Sequence, residues 1–488
     1  MKISICKKTA MISSGILLCS CAMMTGLMFH PDFNKFRTDY KAGEYDLAIA
    51  EITPKSDTPE NAEIKFDSKA YGSYAVIAGM EAGTAALTAG KLEDSTKYLD
   101  MADGDMEGSF SFSSYKPKFY DKIMVNTYKG IAFWAQGDTD HANTEFNRLY
   151  ERQKEAIEEH KREIEKNEEK LSSQESQEQL HAVQDVLNKE YTEYKNFKPY
   201  ADFTNPFSTY ISALYHVTAG YDKSEVENAV NYMRRVKTMS SNQYLASDIK
   251  MAEDRANGKK IGSNVWVIYE EGMAPEIHKK EIRIPFPTKS GIKMAKLVLP
   301  EFVSLPHSYQ FVTASTSNGS YKTQVLADME RVIKTEYQRR YPVVVTSAVL
   351  FMIANLAIQE GSSQLINKTI GKKLDKKMSK HGGLVGKLGK NKLGSRALSS
   401  ATSVAIGELL TYPLDTTTWS TLPKEIQMAK FKMPANRKIK ITAAGGQVIA
   451  DVKIEKKIKN AIIYVRSPAA NGHTNWFVID ANKAKQGN

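Results

Sequence analysis

Between Phe33 and about Gly258 the chain is punctuated at intervals of roughly one helical hairpin, and this punctuation sets the first limit on what it can fold into. Four segments carry it: Ala42-Gly43-Glu44-Tyr45-Asp46-Leu47-Ala48, Gly90-Lys91-Leu92-Glu93-Asp94-Ser95, Gly137-Asp138-Thr139-Asp140-His141-Ala142, and Gly220-Tyr221 leading to Val226 and Ala229-Val230. In each, a glycine ends one helix in a conformation that side chains resist. A short polar link follows, and small or apolar residues then begin the next helix where it must pack closely. The pattern predicts stacked antiparallel helical hairpins.

This punctuation resembles the turn between the two helices of a tetratricopeptide repeat, and residues 33–260 are read as a TPR-like helical domain. Within it, 145–195 is exceptionally charged and contains neither proline nor glycine. Such a stretch predicts long, solvated helices forming a protruding hairpin bent near Ser172-Ser173.

The periodicity changes after Gly258-Lys259-Lys260-Ile261-Gly262. Asn264-Val265-Trp266-Val267-Ile268-Tyr269, Lys280-Glu281-Ile282-Arg283-Ile284 and the stretch from Met294 to Leu299 alternate and are rich in β-branched residues, predicting a small β module over 263–316. Helix resumes near Gln324, in a helical segment over 324–410. Its apolar run from Val343 to Ile358 is short for a bilayer and is interrupted by Thr346, Ser347 and Asn355, so a buried core helix is the expectation. The same segment holds a lysine- and glycine-rich loop over 361–394. Short alternating strands with Gly445-Gly446 as a turn then predict a β-sandwich-like domain over 413–488. The fold class expected is therefore α+β. With 42% hydrophobic and 25% charged residues in 488, there is enough apolar surface for two or three cores.

The N-terminus limits location rather than fold. Lys2, Lys7 and Lys8 precede an apolar stretch from Ala10 to Leu18, which is followed by Leu18-Cys19-Ser20-Cys21. The apolar part is too short to span a membrane stably. Leucine at the third position before a cysteine, with a small residue immediately before it, resembles the lipobox of bacterial lipoproteins. The resemblance implies a signal peptide over 1–20, acylation of Cys21 and a tether over 21–32. Ala22 in place of aspartate implies the outer membrane, with the protein facing the periplasm. All three cysteines (Cys6, Cys19, Cys21) lie in this region. The mature chain would keep only a lipid-blocked Cys21, so disulfides, thiolate metal sites and cysteine nucleophiles are not expected. The formal charge of +11 falls to about +8 without the three leading lysines.

Motifs that carry chemistry are missing from the sequence. The nine histidines are dispersed, with no His-Glu-x-x-His spacing. There is no Gly-x-Ser-x-Gly elbow and no phosphate-binding loop, and His381-Gly382-Gly383-Leu384-Val385-Gly386 has the wrong spacing for a dinucleotide turn. Carboxylate pairs such as Glu270-Glu271 beside Gly272, or Asp328 with Glu330, leave acid/base cleavage of wall glycan as a minor possibility. Nucleic acid is disfavoured as a partner, because the basic stretch has almost no aromatic residues to stack bases.

Four stretches together resemble a family of bacterial TPR-like lipoproteins of the outer membrane and periplasm, to which no established activity attaches. They are Tyr120-Asp121-Lys122-Ile123-Met124-Val125-Asn126-Thr127-Tyr128-Lys129, Asn205-Pro206-Phe207-Ser208-Thr209-Tyr210, Val265-Trp266-Val267-Ile268-Tyr269-Glu270-Glu271-Gly272, and Trp419-Ser420-Thr421-Leu422-Pro423-Lys424-Glu425-Ile426. The resemblance spans nearly the whole mature chain and implies a lipid-anchored helical repeat domain with β modules. Where the family leads one to expect an acidic residue and an arginine before the tryptophan, this chain has Leu414-Asp415-Thr416-Thr417-Thr418-Trp419. Each stretch also has a packing role: Asn205-Pro206 fits a capped helix entry, and Trp266 and Trp419 fit an interface between helical and β parts.

The sequence thus points to a non-enzymatic, lipid-anchored scaffold of the cell envelope, binding a protein or peptide partner in a helical-repeat groove. No metal and no cofactor beyond acyl lipid on Cys21 is expected. The alternative is a binder of anionic envelope polymer or lipid through the basic C-terminal half, with Lys372, Lys373, Lys376, Lys377, Lys380, Lys387, Lys390 and Lys392 as contacts.

Overall fold

The computed structural model describes residues 29–54, 66–107, 113–171, 183–189, 191, 197–201, 204–220, 222–288, 291–359, 414–470 and 472–482. Cys21, the whole 361–394 loop with its lysine cluster from Lys372 to Lys392, and the bend at Ser172-Ser173 lie outside these residues.

The N-terminal half forms helices in antiparallel pairs. They are α1 (Phe33–Ala42) with α2 (Tyr45–Ile52), α3 (Ala75–Thr88) with α4 (Leu92–Glu107), α5 (Phe119–Gln136) with α6 (Thr139–Leu171), and α7 (Pro206–Thr218) with α8 (Lys223–Met239), followed by α9 (Leu245–Ala256). The four punctuated segments fall at the turns within these pairs. Gly43, Gly90 and Gly137 adopt φ values of 88°, 76° and 81°, which glycine tolerates without strain. The fourth turn works differently: Asp222 caps α8 by accepting a hydrogen bond from the Ser224 N–H at 2.7 Å. Close helix contact needs small residues elsewhere as well, since a Cβ on Gly130 of α5 would come within 2.7 Å of the Phe146 ring on α6.

Three sheets follow. Strands β1 (Asn264–Glu271), β6 (Gln324–Asp328), β7 (Glu425–Lys432), β10 (Ala461–Ser467) and β11 (Asn475–Asp480) form a five-stranded sheet in the order β11-β10-β1-β7-β6. Strands β4 (Val312–Thr316), β5 (Gly319–Lys322), β8 (Lys438–Ala443) and β9 (Val448–Lys453) form a second, ordered β5-β4-β8-β9. Strands β2 (Glu276–Thr288) and β3 (Gly291–Val303) make a separate long hairpin.

Two expectations change here. The stretches 263–316 and 413–488 do not keep their strands apart: β1 pairs in parallel with β10 and antiparallel with β7, and β4 pairs with β8. These ladders join residues well over a hundred positions apart, which alternation along one strand cannot reveal. Residues Gln324–Asp328, read as the start of a helix, are an edge strand paired with β7, and α10 (Met329–Gln359) begins only afterwards.

The central strand β1 is buried along its full length because it is sandwiched on both sides. Val265, Val267 and Tyr269 face the second sheet, among Ile439, Ile441 and Val452. Trp266 and Ile268 face the helices, among Tyr128, Tyr210 and Leu214. Alternation with period two sends successive side chains into different cores. The result is three layers: helices, five-stranded sheet, four-stranded sheet. The mixed α+β class holds.

An arm extends from this body. On one face of the β2–β3 hairpin, Ile282, Ile284, Phe286, Ala295, Leu297 and Leu299 pack on Val345, Ala348, Val349, Met352 and Leu356 of α10. The run from Val343 to Ile358 is therefore largely helix packed beneath a hairpin, and among the described residues no helix is long and apolar enough to cross a membrane. The long charged helix is present as the 33 residues of α6, tied to α10 by a bidentate pair between Arg340 and Glu163 at 2.9 and 3.0 Å. The later part of the 145–195 stretch is less solvated than its charge suggests. Val183, Leu187 and Tyr191, spaced four apart on one helical face, are buried against the hairpin.

Candidate functional site

The four stretches on which the family resemblance rests meet at one place, the junction between helices and five-stranded sheet. Glu270 of β1 is buried there and accepts hydrogen bonds from the hydroxyls of Tyr464 (2.6 Å) and Tyr128 (3.1 Å). The buried Arg466 of β10 lies 3.7 Å from its other oxygen. Arg466 also donates to the carbonyls of Gly272 (2.7 Å) and Thr421 (2.8 Å) and to the Tyr40 hydroxyl at 3.2 Å. Burial pushes the Glu270 carboxyl above the usual range, against the pull of Arg466 and the two tyrosines.

A second buried carboxylate holds the C-terminal stretch. Glu81 of α3 receives the Ser420 N–H and hydroxyl at 2.7 and 2.6 Å on one oxygen, and the Thr421 N–H and hydroxyl at 3.0 and 2.6 Å on the other. Burial raises its pKa, and these four donors oppose the rise. Trp419 is fully buried, donates through Nε1 to Thr84 at 3.0 Å, and meets Tyr128 edge to face at 5.7 Å. Asn205 caps α7 through the N–H groups of Phe207 and Ser208, and Thr127 of α5 donates to Ser208 at 2.7 Å. On the β1 side, Asp248 of α9 takes the Trp266 indole N–H at 3.1 Å and the Tyr210 hydroxyl at 2.7 Å, with Lys430 at 2.6 Å. Asp415, which stands in the segment where this chain departs from the family pattern, pairs with Lys118 at 3.1 Å.

The first carboxylate pair singled out in the sequence, Glu270 with Glu271, is separated by the pleat. Glu270 enters the helical core, and its neighbour Glu271 turns to the other side, where it meets His307 Nδ1 at 2.7 Å and the Ser308 N–H at 3.1 Å. Glu271 stands opposite Glu425 in the β1–β7 register, and Glu425 stands opposite Asp328 in β6–β7. Burial, with Glu271 and Asp328 adding to it, raises the Glu425 carboxyl above the usual range. Glu330, in the first turn of α10, is paired with Lys334 and Lys424, and its charge adds to the burial that raises the Asp328 carboxyl. Ligand-capable atoms of Glu271, His307 and Glu425 lie within 4.8 Å of one another, so these three residues could hold a divalent cation. The Glu271–His307 pair accounts for the same geometry without one. Of the three, only Glu271 stands in a carboxylate pair legible in the sequence; the cluster itself has no local signature, because its members come from three separate segments.

An open depression of about 550 Å³ lies between α8 and the end of α9, lined by Lys223, Val226, Arg255, Ala256, Asn257 and Gly258. The Arg255 Nε is buried there without a hydrogen-bond partner among the described residues. The opposite, inner side of the helices is filled by the protein's own sheet. No protein-family model matches the chain, and no curated protein or solved structure is significantly similar to it.

Proposed function

We propose that the protein is a lipid-anchored, non-enzymatic scaffold of the bacterial cell envelope that holds a protein or peptide partner against its helical part. The observation that carries this reading is the way the functional-looking residues are used. Glu81, Glu270, Arg466, Asp248, Trp266 and Trp419 are committed to buried hydrogen bonds and ion pairs inside the protein, fastening helical hairpins onto a sheet. Such a frame is rigid and presents its turns and outer helical faces outward. With the inner helical face occupied by the sheet, the surface suited to a partner segment is the depression at α8 and α9, whose Lys223 and Arg255 favour an acidic segment. A lipid on Cys21 would keep that surface at the membrane. The second reading, contact with anionic polymer or lipid, draws on the lysines between Lys372 and Lys392.

Proximity cross-linking in intact cells, comparing the wild type with Cys21→Ala and with Lys223→Glu/Arg255→Glu, tests the scaffold. Anchor-dependent enrichment of a few envelope proteins, reduced by the charge reversal, is the expected result. Recovery of wall polymer or lipid alone moves the assignment to the second reading.

A further inference from the structure

The end of the arm differs from the rest of the described exterior. Ile292 and Met294 are 77% and 61% exposed, the highest values among the described exposed large hydrophobic residues. As alternate residues of β3 they share a face, the one turned away from α10. Arg283 and Lys296 stand opposite each other on that face, and Pro285 stands opposite Met294. From Ile282 to Pro300 the chain carries Arg283, Lys289, Lys293 and Lys296 and no acidic residue. The nearest acid, Glu281, is paired with Lys296.

The position of this surface follows from α10. At the root of the arm, Ser304 donates to Glu330 at 2.7 Å and Phe302 meets Tyr337 at 5.0 Å. Further out, Met352 and Leu356 share a cluster with Phe286 and Ala295. A 31-residue helix is about 46 Å long and a 13-residue strand about 44 Å, so helix and hairpin end together. The tip is a convex projection roughly 40 Å from the body, measured by the same rise per residue. After Gln359 the chain continues towards the lysine-rich stretch.

We propose that this tip docks on an anionic phospholipid surface, with Ile292 and Met294 entering the headgroup boundary and Arg283 and Lys296, on the same face, meeting lipid phosphates. Two apolar side chains backed by cations, on a projection rather than in a groove, match a soft interface that is apolar below and negative above. A second copy meeting tip to tip would bring like charges together. The contact goes beyond the scaffold reading: it would give the protein a second attachment to a membrane, independent of any acyl chain.

The test uses the chain from Cys21 onward with Cys21→Ser, so that no lipid is attached, floated with phosphatidylcholine vesicles with and without phosphatidylglycerol. Binding to the anionic vesicles alone, weakening as salt is raised, is expected. Ile292→Ser/Met294→Ser should weaken it about tenfold or more, given the transfer free energy of two such side chains. Arg283→Glu/Lys296→Glu should abolish it. Unchanged far-UV circular dichroism and melting temperature establish that the variants fold. Equal binding to neutral vesicles, wild-type binding by either variant, or no vesicle binding by the wild type overturns the proposal. A change confined to self-association in the ultracentrifuge overturns it in favour of a second copy. Carrying the tip variants through the cross-linking experiment separates the two readings, because partner capture should persist when vesicle binding is lost.

Discussion

Thr421 holds Glu81 at two points, its N–H donating to Oε2 at 3.0 Å and its hydroxyl at 2.6 Å, and Ser420 repeats the arrangement on Oε1. A single carboxylate on α3 thereby satisfies two buried backbone donors of the segment that leads into β7. Glu81→Ala would leave those donors buried and unpaired, and the expected loss is about 3 kcal/mol or more. Glu81→Gln keeps one acceptor oxygen and should lose less. Urea unfolding of the three proteins, compared at the midpoint, checks the order. An alanine variant as stable as the glutamine variant would mean that the segment is held elsewhere.

The pair of Glu270 and Arg466 makes a sharper prediction about coupling. Removing the guanidinium with Arg466→Met strands a buried carboxylate and should destabilise by about 3–5 kcal/mol. With Glu270→Gln already in place there is less charge to strand, so the double variant should lose clearly less than the sum of the single losses. Additive losses in a double-mutant cycle would show that the two side chains act separately despite their 3.7 Å approach.

These two carboxylates also show where sequence reasoning reaches its limit. The helix turns were legible because glycine at Gly43, Gly90 and Gly137 has a local backbone reason. Trp266 and Trp419 were legible as junction residues because large aromatics between helical and β stretches have few other places to go. The partners were not legible. Nothing near Val265 announces Ala461 on one side and Phe431 on the other, since pairing between distant strands leaves no local trace. A five-residue edge strand at Gln324–Asp328 is too short to show a period, and its Ala327-Asp328-Met329-Glu330 end reads as helix. Two signals were present and unused. Glu81 is the lone charged residue in the otherwise small and apolar Ala75–Thr88, which marks it as a buried ligand for something. Val183, Leu187 and Tyr191 trace a helical stripe within the charged stretch.

Asp121 yields a prediction for pH. Burial pushes its carboxyl up to about 7, even though Tyr115 and the Lys118 N–H donate to Oδ2. Its Oδ1 has no hydrogen-bond partner among the described residues. An unfolded aspartate titrates near 3.9, so between these values the folded state binds the extra proton. The stabilisation from this group is complete below the unfolded value and is lost as pH rises through about 7. Asp121→Asn cannot titrate. It should therefore gain stability relative to the wild type between pH 5 and pH 8, whatever constant offset the amide introduces. Chemical denaturation at both values decides the matter, and parallel behaviour of the two proteins would place the titration elsewhere.

Two glycines with nearly the same backbone angle separate strain from contact. Gly43 and Gly90 have φ of 88° and 76°, so alanine at either position carries the left-handed penalty of about 1–2 kcal/mol. A Cβ at Gly90 meets nothing within 4 Å, whereas one at Gly43 would sit 2.4 Å from the His473 Cβ. The α1–α2 turn is pressed against the β10–β11 connection at this point, where His473 donates its N–H to the Ala42 carbonyl at 3.2 Å and Tyr45 donates to the His473 carbonyl at 2.7 Å. Gly43→Ala must therefore move one segment off the other, and Gly90→Ala need not. The expected outcome is a larger fall in melting temperature for Gly43→Ala, with faster amide exchange at both Tyr45 and His473. Equal falls for the two variants, with exchange at His473 unchanged, would mean that the turn and the β10–β11 connection do not bear on each other in solution.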